Sequence, residues 1–285
     1  MTRTLCRSGP VGSLPAVTDI LDEAGLDPAV PAEPPAEPRR WWGRPLAEVR
    51  WQAELARLLV DPVFRGEGIP RGDGMPALLM PGFMAGDMSL SVLGGWLERM
   101  GYDPHGSGMV FNVDCSDRAF ERLDARLADI HESTGRRVAL IGHSRGAHFA
   151  KALAHRRPER VAGAISLGAG LDTPFDISLP TKAAVAAARA AQAPRRKEGC
   201  FTDRCGCAFA RHYAAPFPAG VPLTSIYSRG DGVVWWEACI VPYARNVEVT
   251  GSHVGLAFNR KAYRAVAEAL AAMPRGAMAA APRGA

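Results

Sequence analysis

The stretch from Arg137 to Gly146, reading RVALIGHSRG, constrains this chain more than any other. Four strand-forming apolar residues, Val138 to Ile141, run into Gly142-His143-Ser144-Arg145-Gly146, and a helix-like segment from Ala147 to Leu153 follows at once. Strand, G-x-S-x-G and helix in that order form a turn in which the serine backbone is strained. Gly142 and Gly146 have a steric task there: they remove Cβ atoms that would collide where strand and helix pass close together. The turn presents the Ser144 hydroxyl at the carboxyl edge of a sheet, beside a helix N-terminus that favours negative charge.

The rest of the chain supplies such a sheet. With 285 residues, 47% of them hydrophobic, it can bury one large core. Leu46, Val49, Leu55, Leu58 and Leu59 recur at helical spacing and stop before Asp61-Pro62, because a residue preceding proline is pushed out of the helical region. Ala77 to Met80 reads as a buried strand, Met88 to about Met100 as a helix capped by Asp87, Gly106 to Asn112 as a strand, and Ser116 to about Ser133 as a helix with Phe120, Leu123, Leu127 and Ile130 on one face. Strands at Val161 to Leu167, Val221 to Tyr227 and Asn246 to Thr250 and a last helix from about Asn259 to Met273 complete the rhythm. The fold class is therefore α/β, a mostly parallel sheet with helices on both faces.

Three regions stand outside this alternation. Residues 1–40 are rich in Pro and Ala and read as an extended arm, and 274–285 as a flexible tail, leaving 41–273 as the folded domain. Residues 171–218 break the rhythm with an Ala-rich helix, Thr181 to Ala193, and a cysteine-bearing loop. This insertion is expected above the sheet, as a helical lid.

A serine hydroxyl is a poor nucleophile at neutral pH and needs a histidine to take its proton and a carboxylate to fix the histidine tautomer. Asp231, in the turn Arg229-Gly230-Asp231-Gly232, and His253, in Gly251-Ser252-His253, each follow a strand, in the chain order Ser, acid, His. Glu237 is a competing acid, placed beyond Trp235-Trp236 on a helix. His105, His131, His155 and His212 precede Asp231 and are rejected by order. His143 should point into the packing beside the turn. Backbone amides of Arg145 and Phe83, the latter in the loop Pro81-Gly82-Phe83, are positioned to hold an oxyanion. The Arg145 guanidinium has two readings, a site for an anionic substrate group or an ion pair with a structural carboxylate.

Met80-Pro81-Gly82-Phe83, Gly142-His143-Ser144-Arg145-Gly146, Ser228-Arg229-Gly230-Asp231 and Gly251-Ser252-His253 together resemble a bacterial esterase/lipase-type member of the α/β-hydrolase superfamily, from about Pro76 to Met273. The resemblance implies Ser144 as nucleophile, His253 as general base, Asp231 as orienting acid and a small acyl ester as substrate. Many members carry His-Gly before the oxyanion residue; here Pro81 replaces that histidine. The same residues also serve an acyltransferase or a thioesterase, and a ligand-binding protein on this fold is the non-catalytic alternative.

Charge and cysteine content narrow the partners. A net charge of +5 without a basic block gives no nucleic-acid signal. No apolar run approaches the roughly 18 to 20 residues of a membrane span, and no apolar segment follows the basic N-terminus, so a cytoplasmic protein is expected. No cofactor is required and no metal is assigned. Cys200, Cys205, Cys207 and His212 are close enough to hold zinc, but C-x4-C-x-C is not a familiar zinc spacing; a disulfide with Cys239 and free thiols are the other readings. Oligomeric state is left open.

Overall fold

The computed structural model describes residues 41–191 and 206–274. The N-terminal arm, the end of the Ala-rich helix, Cys200, Cys205 and the tail lie outside these residues. Six strands form one sheet: β1 (Pro76–Met80), β2 (Asp103–Gly106), β3 (Val138–His143), β4 (Val161–Leu167), β5 (Leu223–Ser228) and β6 (Arg245–Val249), in the order β2-β1-β3-β4-β5-β6 with every pairing parallel. The four inner strands are buried along their whole length, as continuous apolar runs in a doubly covered parallel sheet must be. At the edges, β2 tolerates Pro104 and β6 alternates polar residues with Val247 and Val249.

Helices cover both faces. Leu79, Ile141, Ile165 and Ile226 pack under Leu58 of α1 (Trp51–Val60), Trp96 and Leu97 of α2 (Ser91–Arg99) and Tyr263 and Val266 of α7 (Arg260–Ala271). Leu78, Met80, Val138 and Leu140 pack against Phe120 and Leu123 of α3 (Ser116–Thr134) and Phe149 and Leu153 of α4 (Arg145–Arg156). Neighbouring residues of β1 and β3 thus go to opposite faces, the period-two rule of a strand. Asn259 caps α7, accepting from the amides of Lys261 and Ala262.

Several boundaries differ from expectation. The second strand is Asp103–Gly106, and only Gly106 lies within the expected stretch from Gly106 to Asn112. The remainder is a loop, turned by Gly108 at φ +78°, in which Val110 and Phe111 are exposed. Asp87 does not cap a helix with its side chain: it begins a short 3-10 turn, Asp87–Leu90, and its carboxylate accepts from Ser107 and Gly108 of that loop. The first helical stretch is a 3-10 turn, Pro45–Arg50, followed by α1, and it exposes Leu46, Val49 and Leu59 while burying Glu54 and Leu58.

Within the insertion, α5 (Leu179–Ala191) and α6 (Ala208–Ala214) are described. α6 lies against α3 and α4, with Phe209 on Phe120 and Phe149 and the Tyr213 hydroxyl donating to Gly170 O at 2.9 Å. Just before α5, Ser178 donates its amide to Val233 O at 2.8 Å, beside the turn that carries Asp231. Among the described residues no helix is long and apolar enough to cross a membrane.

Candidate active site

Ser144 sits between β3 and α4 with φ 52° and ψ −123°, a positive φ that residues with a Cβ rarely adopt. Its amide is held by Leu167 O of β4 at 2.8 Å. The flanking glycines are required by contact. A Cβ on Gly142 would stand 2.3 Å from the Ala147 nitrogen, and one on Gly146 would stand 2.0 Å from the Met80 carbonyl oxygen at the end of β1. Both clashes are with backbone, which cannot swing aside. Gly146→Ala is therefore expected to destabilise the fold by roughly 3 kcal/mol, read as a drop in the urea midpoint against the parent protein.

The residues predicted as acid and base are brought together. Asp231 lies in the turn after β5, and its Oδ1 accepts the amides of Val233 and Val234 at 2.8 and 2.7 Å. The other oxygen, Oδ2, is left for His253 Nδ1 at 2.7 Å. Both side chains are almost fully buried. With no water to compete, a carboxylate on Nδ1 fixes the proton there and leaves Nε2 with its lone pair. Burial by itself lowers the His253 pKa, but Asp231, with a smaller contribution from Glu48, outweighs it and holds the pKa above the usual histidine value. Gly168, after β4, has φ +63°, and a Cβ there would come 3.2 Å from both Asp231 Oδ2 and His253 Nδ1. Leu256 Cδ1 would stand at 2.6 Å, so glycine is strongly favoured at that position.

His143 points into packing, as expected. Its ring lies 4.8 Å from that of His253, and its Nε2 donates to His253 O at 3.0 Å. Burial, helped by His253, lowers its pKa to about 4, so it is neutral at physiological pH and adds no charge beside His253. The other rivals are engaged elsewhere: His105 with Asp103, His131 with Arg136 O, and His155 with His212. Glu237 lies on a 3-10 turn, Trp236–Cys239.

Gly82 packs against the serine, since a Cβ on it would meet Ser144 Cβ at 3.2 Å. Phe83 follows, and among the described residues its N–H meets no acceptor. Asn112, buried, pins this loop: its Nδ2 donates to Pro81 O at 2.8 Å, and its carbonyl accepts from Met84, which has φ 60°. The Arg145 guanidinium donates to Asn112 O and Oδ1, Asp114 O and Ser116 Oγ at 2.7 to 3.0 Å. It thus ties α4 to the loop before α3 and to Ser116, the first residue of α3.

Four residues that the sequence reading did not single out contribute to this site: Asn112, Gly168, and the carboxylates of Glu48 and Glu54, which reach the loops that carry Asp231 and His253. Gly168 carried a trace of a signal, a glycine at the end of an apolar run. Glu48 and Glu54 carried none, because an acidic residue on a helix reads as a solvated face. Among the described residues Cys115 and Cys239 are buried free thiols, so the disulfide to Cys239 is not formed. Among the described residues no group of three His, Cys, Asp or Glu side chains is placed to hold a metal.

No family model and no curated protein matches this sequence. Solved structures do. The mature form of a Bacillus licheniformis lipase aligns with TM-score 0.51 at 15% identity, over 71% of this chain and 94% of that one. This chain has the α/β-hydrolase fold. The propeptide form of the same lipase aligns with TM-score 0.52 at 15% identity, over 75% of this chain and 54% of that longer one. At such identity the likeness extends to the α/β-hydrolase sheet and its helices, and the chemistry of the loops must be argued from their own residues.

Proposed function

We propose that this α/β-hydrolase is a serine hydrolase that cleaves carboxylic esters through an acyl-serine intermediate. The observation that carries the reading is the buried 2.7 Å contact between Asp231 Oδ2 and His253 Nδ1, at the same sheet edge as the left-handed turn of Ser144. Ser144 Oγ attacks the ester carbonyl as His253 Nε2 takes its proton; the imidazolium is stabilised by Asp231 and then protonates the leaving alcohol. Water, activated by the same nitrogen, releases the acid and restores Ser144. The amides of Phe83 and Arg145 receive the tetrahedral oxyanion; losing one such donor typically costs about 3 to 4 kcal/mol of transition-state stabilisation.

The surroundings favour an apolar acyl group. Met84, Met88, Val110 and Phe111 are exposed on two loops joined by the Met84, Asp87 and Asn112 amides, next to Phe83. The structural neighbour described above in its two forms is a lipase, in keeping with this reading. The test is turnover of p-nitrophenyl esters of graded chain length. Saturable release of nitrophenol, with kcat/KM rising from acetyl to longer acyl groups, is expected; no release above buffer for any ester contradicts the proposal.

A further inference from the structure

The two carboxylates that approach the catalytic loops come from the opposite end of the sequence. Glu48 lies on the 3-10 turn Pro45–Arg50, and Glu54 one to two turns on in α1. Glu48 Oε1 accepts the amides of Gly232, next to Asp231, and of His253 itself, at 2.9 and 3.0 Å; its Oε2 accepts that of Val254 at 2.9 Å. Glu54 accepts the amide and hydroxyl of Ser252 at 3.0 and 2.9 Å. The fit is close enough to exclude side chains opposite: a Cβ on Gly232 would stand 2.8 Å from Glu48 Oε1, and one on Gly255 would collide with Glu54 Oε2. The chain just before Glu48 adds to the strap, with the Arg44 amide on Gly232 O at 3.1 Å and Trp41 edge-on to Trp235 at 5.4 Å.

Three amide bonds to one carboxylate, drawn from two loops separated by a strand, are charge-assisted and fix the loops relative to each other. The direction of the charge matters as well. His253 is faced by Asp231 from the β5 loop, by neutral His143 from the end of β3 and by Glu48 from the N-terminal turn. Glu54 and Arg50, 3.9 Å apart, lie behind its own loop. Glu48 is thus a second anion near an imidazole that must carry positive charge in the transition state, and it acts through the backbone of the loops without touching the ring's reactive nitrogen.

We infer that Glu48 is a positioning residue for the Asp231–His253 pair, setting the separation of their two loops and adding negative charge that favours the imidazolium. The inference rests on the serine-hydrolase reading, so its test includes a measurement that does not need activity. Nitrogen-15 NMR of the imidazole follows His253 titration in the parent protein, Glu48→Gln and Glu48→Asp, beside kcat and KM for one ester. Removing a nearby negative charge lowers a histidine pKa, so in Glu48→Gln the His253 midpoint is expected below that of the parent. The acid limb of kcat/KM should follow it down, and kcat should fall roughly tenfold with KM within about twofold. Glu48→Asp keeps the charge on a shorter arm: its His253 midpoint should match the parent while kcat is still reduced. Should Glu48→Gln fail to fold, the Asp variant decides on kcat alone, and parental kcat there overturns the inference. An unshifted midpoint with parental kcat in Glu48→Gln also overturns it. A shifted His253 in a protein whose parent cleaves no ester supports the electrostatic role of Glu48 and rejects the hydrolase reading instead.

Discussion

Ser144→Ala is expected to lower ester turnover by roughly 10⁶-fold while leaving the fold intact. The size follows from the way the groups act as a unit: His253 and Asp231 have no task in the attack once the hydroxyl that needs activation is gone. Residual turnover would come from oxyanion amides acting on a water, a modest effect on its own. The fold should tolerate the change because Ser144 contributes its backbone, through the amide bond to Leu167 O, and its hydroxyl holds no other element among the described residues. The positive φ of 52° is strained for alanine as it is for serine. Circular dichroism and the urea midpoint should therefore stay close to those of the parent while kcat collapses.

Asp231→Asn should have the second-largest effect, roughly 10⁴-fold in kcat. An asparagine can keep its oxygen on the amides of Val233 and Val234, now at 2.8 and 2.7 Å, and so hold the turn. Its NH₂ then faces His253 Nδ1 and donates to it. The proton moves to Nε2, the nitrogen that should have accepted one from Ser144, and the base is lost. The charge is lost with it. Since Asp231 is the larger of the two influences that raise the His253 pKa against burial, the remaining activity should persist to lower pH than in the parent. A pH–rate profile of Asp231→Asn checks both the magnitude and the direction of the shift. Parental kcat in this variant would show that His253 takes its tautomer from another group.

The elements that were legible in the sequence are those fixed by local chemistry. Val138 to Gly146 announces its strand, turn and helix because the glycines and the apolar run serve the same geometry, and Phe120, Leu123, Leu127 and Ile130 mark a buried helical face at their spacing. Asp231 and His253 could be placed because each follows a strand and so reaches the same edge of a parallel sheet. What could not be read was the part set by contacts distant in sequence. Val110 and Phe111 look like strand residues but are exposed in a loop that Asp87 and Asn112 hold beside β1. The stripe Glu48, Glu54, Leu58 turns inward although Leu46, Val49 and Leu59 made the apolar pattern, because the Asp231 and His253 loops, nearly 200 residues later, present amides that the two carboxylates accept. Burial of a charge is favourable there only because its donors are already in place.

The central claim is an activated serine at the turn after β3. Treating the folded protein with a fluorophosphonate and measuring intact mass tests it directly, since such reagents phosphonylate a serine whose proton is taken by a neighbouring base. The account predicts one adduct on the parent protein and none on Ser144→Ala. An unmodified parent, or an adduct that survives Ser144→Ala, would contradict it.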